Sequence, residues 1–413
     1  MIMGTVIRPE NEMKDSGIDW YGLMPANWEI KPIYASLDEI NQKNNPIITT
    51  NILSLTNVDG VIPYSERGNQ GNKSKENYEE YKVVYQNTIV ANSMNILIGS
   101  VGLSMYEGCV SPVYYVYCAK SNVDIRYMNY LFQMEQFQKK LRQFANGILE
   151  IRLRVSSHDI LHQKVAMPSL SEQQAIADYL DETCSKIDEI IAEAKASIDE
   201  YKELKISQIN KHTVHKMKRT KLKYISKKIG DGIHTTPEYS DEGTIRFING
   251  GSFGEDSIKM IGPTLSSEEY QKQNKSLLNE HSIMIALNGV NFGNTSLYNN
   301  EAILLGKSAG YITLKPSVCR EYVRYCLENS FTKEAFDLSL NGTTIPNLSL
   351  NTLRNTEICL PDYSVQKQLA KTIKKMIIKI DSLITEKESL INDLESYKKS
   401  LIYEVVTGKR RVV

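Results

Sequence analysis

Pro168-Ser169-Leu170-Ser171-Glu172-Gln173 opens a stretch that recurs 193 residues later as Pro361-Asp362-Tyr363-Ser364-Val365-Gln366. At that offset residues 168–216 align with 361–409 without a gap, and 14 of the 49 positions are identical. Unrelated residues of ordinary composition agree at roughly 6% of positions, so the chain contains a duplication. The identities include Gln173/Gln366, Lys186/Lys379, Asp188/Asp381 and Lys205/Lys398. Upstream, Tyr127, Tyr130, Asn146, Gly147 and Leu153 fall on Tyr322, Tyr325, Asn341, Gly342 and Leu348 at an offset of 195. The chain reads as module, segment, module, segment. That period is far too long for a solenoid.

Both repeated segments read as long helices. Each starts after a proline, with Ser171 and Ser364 expected as N-caps, and Gly408 supplies a stop for the second. Apolar residues follow a heptad register. In the first segment Leu180, Ile187, Ala194 and Tyr201 take position a, and Ile176, Ile190 and Leu204 take d. In the second Ile373, Ile380, Leu394 and Leu401 take a, with Lys387 among them, and Leu369, Met376, Leu383, Leu390 and Tyr397 take d. Ile191, Ile198, Ile377, Ile384 and Ile391 widen the stripe beyond a two-stranded seam. A partner is expected to cover them, and the isolated chain to be poorly soluble.

The modules carry short β-rich runs at 82–90, 112–117, 283–287 and 309–314, separated by Asn, Gly and Ser turns. Each ends in an expected helix, 124–144 or 320–339. The fold class is therefore α+β: two α+β modules, each around a mostly antiparallel sheet, alternating with two long helices that pair as an antiparallel coiled coil. The boundaries read as an N-terminal segment 1–27, module one 28–167, helix one 168–217, module two 218–360 and helix two 361–413.

A length of 413 residues suits two or three domains. Lys+Arg and Asp+Glu balance at 49 each, and 41% of residues are hydrophobic, which excludes a disordered chain and bulk positive charge as a means of holding nucleic acid. Basic surface must be local. Residues 168–200 hold two Lys against nine acids, whereas 202–228 hold ten Lys+Arg against Glu203 alone. No run of 18 apolar residues occurs and the N-terminus lacks a signal core, so no membrane span is expected. The six cysteines form no CxxC pair and read as reduced, mostly buried, cytosolic thiols, which places the chain in the cytoplasm.

Catalytic patterns are missing: no phosphate loop, GxGxxG after a strand, HExxH or GxSxG, and no Pro-Pro for a base-flipping methyltransferase loop. His158/His162 and His212/His215 have helical spacing, but nothing completes a metal site. The chain is expected neither to cut nor to methylate by itself, and to need no cofactor. Binding features are better represented. Asn69, Gln70, Asn72, Lys73, Lys75, His234, Thr235, Thr236, Asn249, Asn341, Thr343 and Thr344 lie in polar loops with donors and acceptors suited to base edges, although surface loops of any α+β domain look alike. Arg152 and Arg154 alternate on one strand face, which suits a phosphate track or a salt bridge equally. Lys218, Arg219 and Lys221 belong to the densest basic cluster. Asn291 and Asn294 sit in a glycine-rich run, and Lys307 precedes Ser308-Ala309-Gly310-Tyr311.

With these residues assembled, the chain resembles the specificity (S) subunits of type I restriction–modification enzymes over nearly its whole length. The most specific parts are Lys14-Asp15-Ser16-Gly17-Ile18-Asp19-Trp20 running to Pro25-Ala26-Asn27-Trp28-Glu29, the helix openings at Pro168 and Pro361, and Val405-Val406-Thr407-Gly408-Lys409. Phe292 to Tyr298 followed by Lys307 to Tyr311 is also similar to the family's recognition segments. Module one departs from it, with Gly99-Ser100-Val101-Gly102-Leu103-Ser104 and Val110-Ser111-Pro112, which implies two different targets. The resemblance implies that each module is a target recognition domain reading one part of a bipartite site on double-stranded DNA. It further implies two methyltransferase subunits, which bind S-adenosylmethionine and methylate adenine, and separate ATP-dependent translocase/endonuclease subunits. It carries over no catalytic residue. A methylation-only complex and a two-module scaffold without DNA remain open alternatives at this stage.

Overall fold

The computed structural model describes residues 4–56, 60–67, 77–145, 153–214, 219–254, 257–289, 291–339 and 347–413. They form two compact units, 1–193 with 389–413, and 194–388. Each unit holds one α+β module and half of each long helix. The long helices, Leu170–Thr213 and Tyr363–Val406, have 44 residues each. Their equal lengths follow from the gapless repeat, and each extends about 65 Å.

The helix starts explain several repeat identities. Ser169 Oγ accepts from Glu172 N at 3.3 Å, so the first cap lies two residues before the expected Ser171. Asp362 occupies the matching position: its carbonyl accepts from Gln366 N at 3.0 Å, as that of Ser169 does from Gln173 N at 2.9 Å. Gln173 and Gln366 are each 2% exposed. Gln173 accepts from Asp124 N at 3.0 Å and donates to Pro168 O at 3.0 Å. Gln366 accepts from Cys319 N at 2.9 Å and donates to Pro361 O at 2.7 Å. A glutamine amide satisfies two buried backbone groups that no helix bond reaches, which is why both copies keep it. Tyr127 and Tyr322 are likewise equivalent, donating to Ala166 O at 3.3 Å and Cys359 O at 3.1 Å.

The helix seam corrects the expected register. In the first unit Ala177, Leu180, Cys184, Ile187 and Ile191 are buried, with Ile391, Leu401 and Val405 of the second helix. In the second unit Ala194, Ile198 and Ile209 are buried, with Ala370, Ile373, Ile377 and Ile380. Position a faces inward as expected. Its companion along most of the seam is the Ile191, Ile198, Ile377 and Ile391 series; of the d series Ile176 is buried, and Leu369, Met376 and Leu383 are half-buried. Ile190, Leu204, Leu390 and Tyr397 are 45%, 42%, 39% and 51% exposed. Thr183 and Ser197 interrupt the d series, whereas residues 177–198 offer unbroken small or apolar positions at steps of three and four. Ile191, Ile198, Ile377 and Ile391 are thus covered by the chain itself, and Ile384 is half-buried.

Ion pairs hold the antiparallel register within each unit. Lys398 Nζ lies 2.6 Å from Asp188, and Lys205 Nζ lies 2.9 Å from Asp381. Each joins an Asp and a Lys that the repeat keeps identical.

Each module is built around one four-stranded antiparallel sheet, and the second adds a three-stranded sheet in which Ile245–Ile248 pairs parallel with Ile303–Leu305 and antiparallel with Thr264–Leu265. The first orders Val101–Ser104, Thr88–Asn92, Tyr114–Ala119 and Leu37–Glu39; the second orders Ser226–Asp231, Ala309–Leu314, Ser282–Ala286 and Thr295–Leu297. The expected strand at 82–90 is split at Asn87, whose φ of +60° suits asparagine. The expected single helices are also split, into Ile125–Gln133 and Glu135–Leu141, and into Arg320–Glu328 and Ser330–Leu338. Both breaks fall at extended residues, Met134 and Asn329, and Asn329 caps the following helix by accepting from Thr332 N at 2.8 Å.

The chain ends meet in the first unit, where Thr5–Ile7 pairs antiparallel with Arg410–Val412. Trp28 Nε1 donates to Glu172 at 2.9 Å, and Arg8 Nη2 lies 2.7 Å from the same carboxylate. Gly408 has φ of +71°, and a Cβ there would stand 2.4 Å from Pro25 Cγ. Only glycine fits. The terminal motifs that carry the resemblance thus close the chain upon itself.

Leucine at position 173 or 366 leaves two buried backbone groups without partners, which is expected to cost about 1–3 kcal/mol in that unit. Amide hydrogen exchange should quicken in Ile125–Gln133 for Gln173→Leu and in Arg320–Glu328 for Gln366→Leu, each without the other. None of the six cysteines is in a disulfide, and only Cys118 is not buried. Burial pushes the Cys109 and Cys184 thiols up to about 11. At pH 8 about one in a thousand of each is thiolate, so a thiol reagent on the native chain should label Cys118 first and these two far more slowly.

Candidate nucleic-acid interface

Four connections of the second unit converge at one end of its main sheet. Asn249 Oδ1 accepts from Ser308 Oγ at 3.1 Å, and Ser308 Oγ accepts from Gly250 N at 3.0 Å. Asn291 Nδ2 donates to Gly251 O at 3.2 Å. Ile233 bridges Gly306, which brings His234, Thr235 and Thr236 beside Lys307. The approach requires small residues: a Cβ on Gly306 would stand 2.3 Å from Asn249 Oδ1, and one on Gly232 2.1 Å from Leu305 O. His234 Nε2 lies 2.8 Å from Asp231 Oδ2. His234, Thr235, Thr236, Asn249, Asn294 and Lys307 are exposed, and Asn291 is half-buried. Seven of the candidate residues thus share one loop group, rigidly supported from the sheet.

The first unit repeats the frame with other side chains. Val155 N donates to Ser93 O at 3.1 Å, as Leu348 N does to Leu287 O at 2.7 Å. Arg154 is exposed at the position equivalent to Asn347, with Nη2 3.8 Å from Met94 Sδ. Asn69, Gln70, Asn72, Lys73, Lys75, Arg152, Lys218, Asn341, Thr343 and Thr344 lie outside the described residues.

Arg219 and Lys221 stand elsewhere. Their strand, Arg219–Lys221, pairs with Glu357–Cys359. The chain then enters the strand Ser226–Asp231 at Ser226, opposite Leu314, and reaches the loop group only past Asp231, opposite Gly310. That strand, roughly 17 Å long, lies between Arg219 and Lys221 and the loop group.

Cations that the sequence did not single out lie beside the loops instead. A cleft of about 650 Å³ runs between Asn291 and Asn294 and the paired helices of the second unit, lined by Lys202, Lys259, Lys333 and Arg324. Arg324 pairs with Glu328 at 3.1 Å, and Glu328 accepts from Thr295 Oγ1 at 2.6 Å. Nothing in sequence spacing unites these residues, because they come from four separate elements. The matching cleft of the first unit, about 790 Å³, is lined by Gln133, Gln138, Glu135, Lys399 and Glu404. Among the described residues no His, Cys, Asp or Glu group could hold a metal ion, and no helix is long and apolar enough to cross a membrane. Amide and hydroxyl donors and acceptors with flanking cations can bind polar edges and phosphates.

Known proteins share this fold. A family model, the type I restriction modification DNA specificity domain, matches residues 25–200 and again 215–393. The type I restriction enzyme MjaVIII specificity subunit of Methanocaldococcus jannaschii is 24% identical over 431 residues, covering 95% of this chain and 96% of that protein. The HsdS subunit from Thermoanaerobacter tengcongensis shares the fold with a TM-score of 0.58 at 12% identity, over 96% of this chain and 99% of that one. A chain from a structural study of complex assembly and conformational transition in the type I R-M system reaches 0.75, also at 12% identity, over 94% and 99%. With the domain matched once in each copy of the repeat, the chain belongs to the type I restriction–modification DNA specificity family.

Proposed function

We propose that the chain is the DNA-recognition subunit of a type I restriction–modification complex, reading a bipartite, asymmetric site on double-stranded DNA. The observation that carries this reading is the repeated loop frame. Both units present loops at the same end of equivalent sheets, with Asn249, Asn291 and Lys307 in one and Arg154 in the other. Equivalent frames with unlike side chains suit two half-sites of different sequence. On this reading catalysis belongs to partners: two adenine-methyltransferase subunits and ATP-dependent translocase/endonuclease subunits, in the cytoplasm. Ile190, Leu204, Leu390 and Tyr397, left exposed by the seam, offer apolar surface to such partners.

Replacing residues 28–167 with the module of another such subunit should change one half of the methylated motif and leave the other intact, as mapped by methylated adenines in cells. A change in both halves, or in neither, would overturn the two-module reading.

The long helices are proposed to set the spacer. Asp188·Lys398 and Lys205·Asp381 must both survive, so four residues are inserted in each helix, near 194–198 and 387–391. That adds about 6 Å, or one to two base pairs at ~3.4 Å each. The spacer should lengthen with both half-sites unchanged, whereas an unchanged spacer with altered half-site bases would refute the helices as a ruler.

A further inference from the structure

The junction between each module and its own long helix has opposite charge in the two units. In the first, Arg126 reaches from the helix Ile125–Gln133 to the long helix, with Nη1 2.7 Å from Asp178 and 2.9 Å from Asp181, and Nη2 2.7 Å from Asp124. Tyr130, one turn on, donates to Asp181 at 2.8 Å. The Asp124 carboxylate above all, then Asp178 and Asp181, raise the guanidinium above its ordinary value. The repeat keeps the tyrosine and reverses the charges. At the 195-residue offset Arg126 and Tyr130 become Glu321 and Tyr325; at the 193-residue offset Asp178 and Asp181 become Lys371 and Lys374.

In the second unit these four residues line one cavity of about 550 Å³. Glu321 is half buried, which alone would push its carboxyl up, but its own backbone N–H, the Cys319 thiol and Arg320 hold it below the usual range. Its ion pair is with Arg320 at 3.2 Å, and the exposed Lys371 and Lys374 line the same cavity. Single exposed ion pairs contribute little. A guanidinium among three carboxylates is a network, and its reversal sets like charges together, which costs more than losing a contact.

We propose that this reversal keys each module to its own long helix, so that a module placed at the other position meets like charge at the junction. Module one would bring Arg126 against Lys371 and Lys374, and module two would bring Glu321 against Asp178 and Asp181. This concerns how the modules dock and stands whether or not the loops read DNA.

The test uses the full chain and hydrogen exchange across Ile125–Gln133 and Arg320–Glu328. Arg126→Ala removes the contact alone; Arg126→Glu adds repulsion and should lower protection in the first segment by a further roughly tenfold. The triple variant Arg126→Glu, Asp178→Lys, Asp181→Lys reproduces the second unit's pattern and should recover most of that loss. Glu321→Arg should fail in the second segment in the same way, and Lys371→Asp with Lys374→Asp should restore it. High salt should narrow the difference between Arg126→Ala and Arg126→Glu. Equal effects of alanine and glutamate at 126, or triple variants no better protected than the single reversals, would overturn the proposal. Should Arg126→Glu prove too unstable to purify, a soluble triple variant supports the keying and an insoluble one refutes it.

Discussion

Asp188 against Lys398 at 2.6 Å, and Lys205 against Asp381 at 2.9 Å, tie the long helices in one antiparallel register within each unit, and the rest of the chain is arranged around that constraint. Because each pair joins residues the repeat keeps identical, one duplicated segment supplies both halves of its own complement. Two exposed ion pairs contribute modestly to stability. Their larger consequence is to exclude a slipped seam, since a shift by one heptad would leave four charges unpaired beside the isoleucines. The buried glutamines then fasten each module to the start of its helix, so seam and module cannot shift independently.

Duplication leaves two kinds of position. Those whose partner groups recur in both copies are retained: Asp188 and Lys205 pair across the two copies, and Gln173, Tyr127 and their counterparts bond equivalent backbone groups in each. Those that face outward have diverged. Asn288 and Asn347 have become Met94 and Arg154, and the cleft beside the loops carries Lys202, Lys259 and Lys333 in one unit but mostly amides and mixed charge in the other. A chain of zero net charge accommodates this, because cations gathered in the second unit are offset elsewhere. On the proposed function, phosphate contact would then be unequal between the half-sites.

Much of the frame was legible in the sequence because the repeat is gapless and the helices are long: periodicity over 44 residues outweighs local noise. The seam register was misread, although Thr183 and Ser197 interrupt the d series while the series beginning at Ala177 runs unbroken. Met134 and Asn329 break helices through their backbone conformation, which composition does not announce. Asn249, Asn291 and Lys307 were picked out singly as loop residues, yet their convergence depends on Gly232 and Gly306 allowing close approach. Arg126, like Lys259 and Lys333, was not singled out at all, because its meaning lies in neighbours that are remote along the chain.

The motifs most specific to the family turn out to serve closure. Trp28 and Arg8 share the Glu172 carboxylate, Arg8 Nε donates to Gly408 O at 2.9 Å, and Gly408 must be glycine to clear Pro25 and Trp28. Tyr21 and Tyr127 both donate to Val406 O, at 3.4 and 3.1 Å, at the foot of the same helix. Every one of these residues is held by backbone or by another member of the set, so none can change alone. The side chains of loop residues such as Lys307 and Asn294 are exposed and take part in none of these contacts. A frame whose fixed residues hold one another leaves its loops free to vary without loss of fold. That separation is what a protein needs if it is to acquire a new DNA target while keeping the same partners.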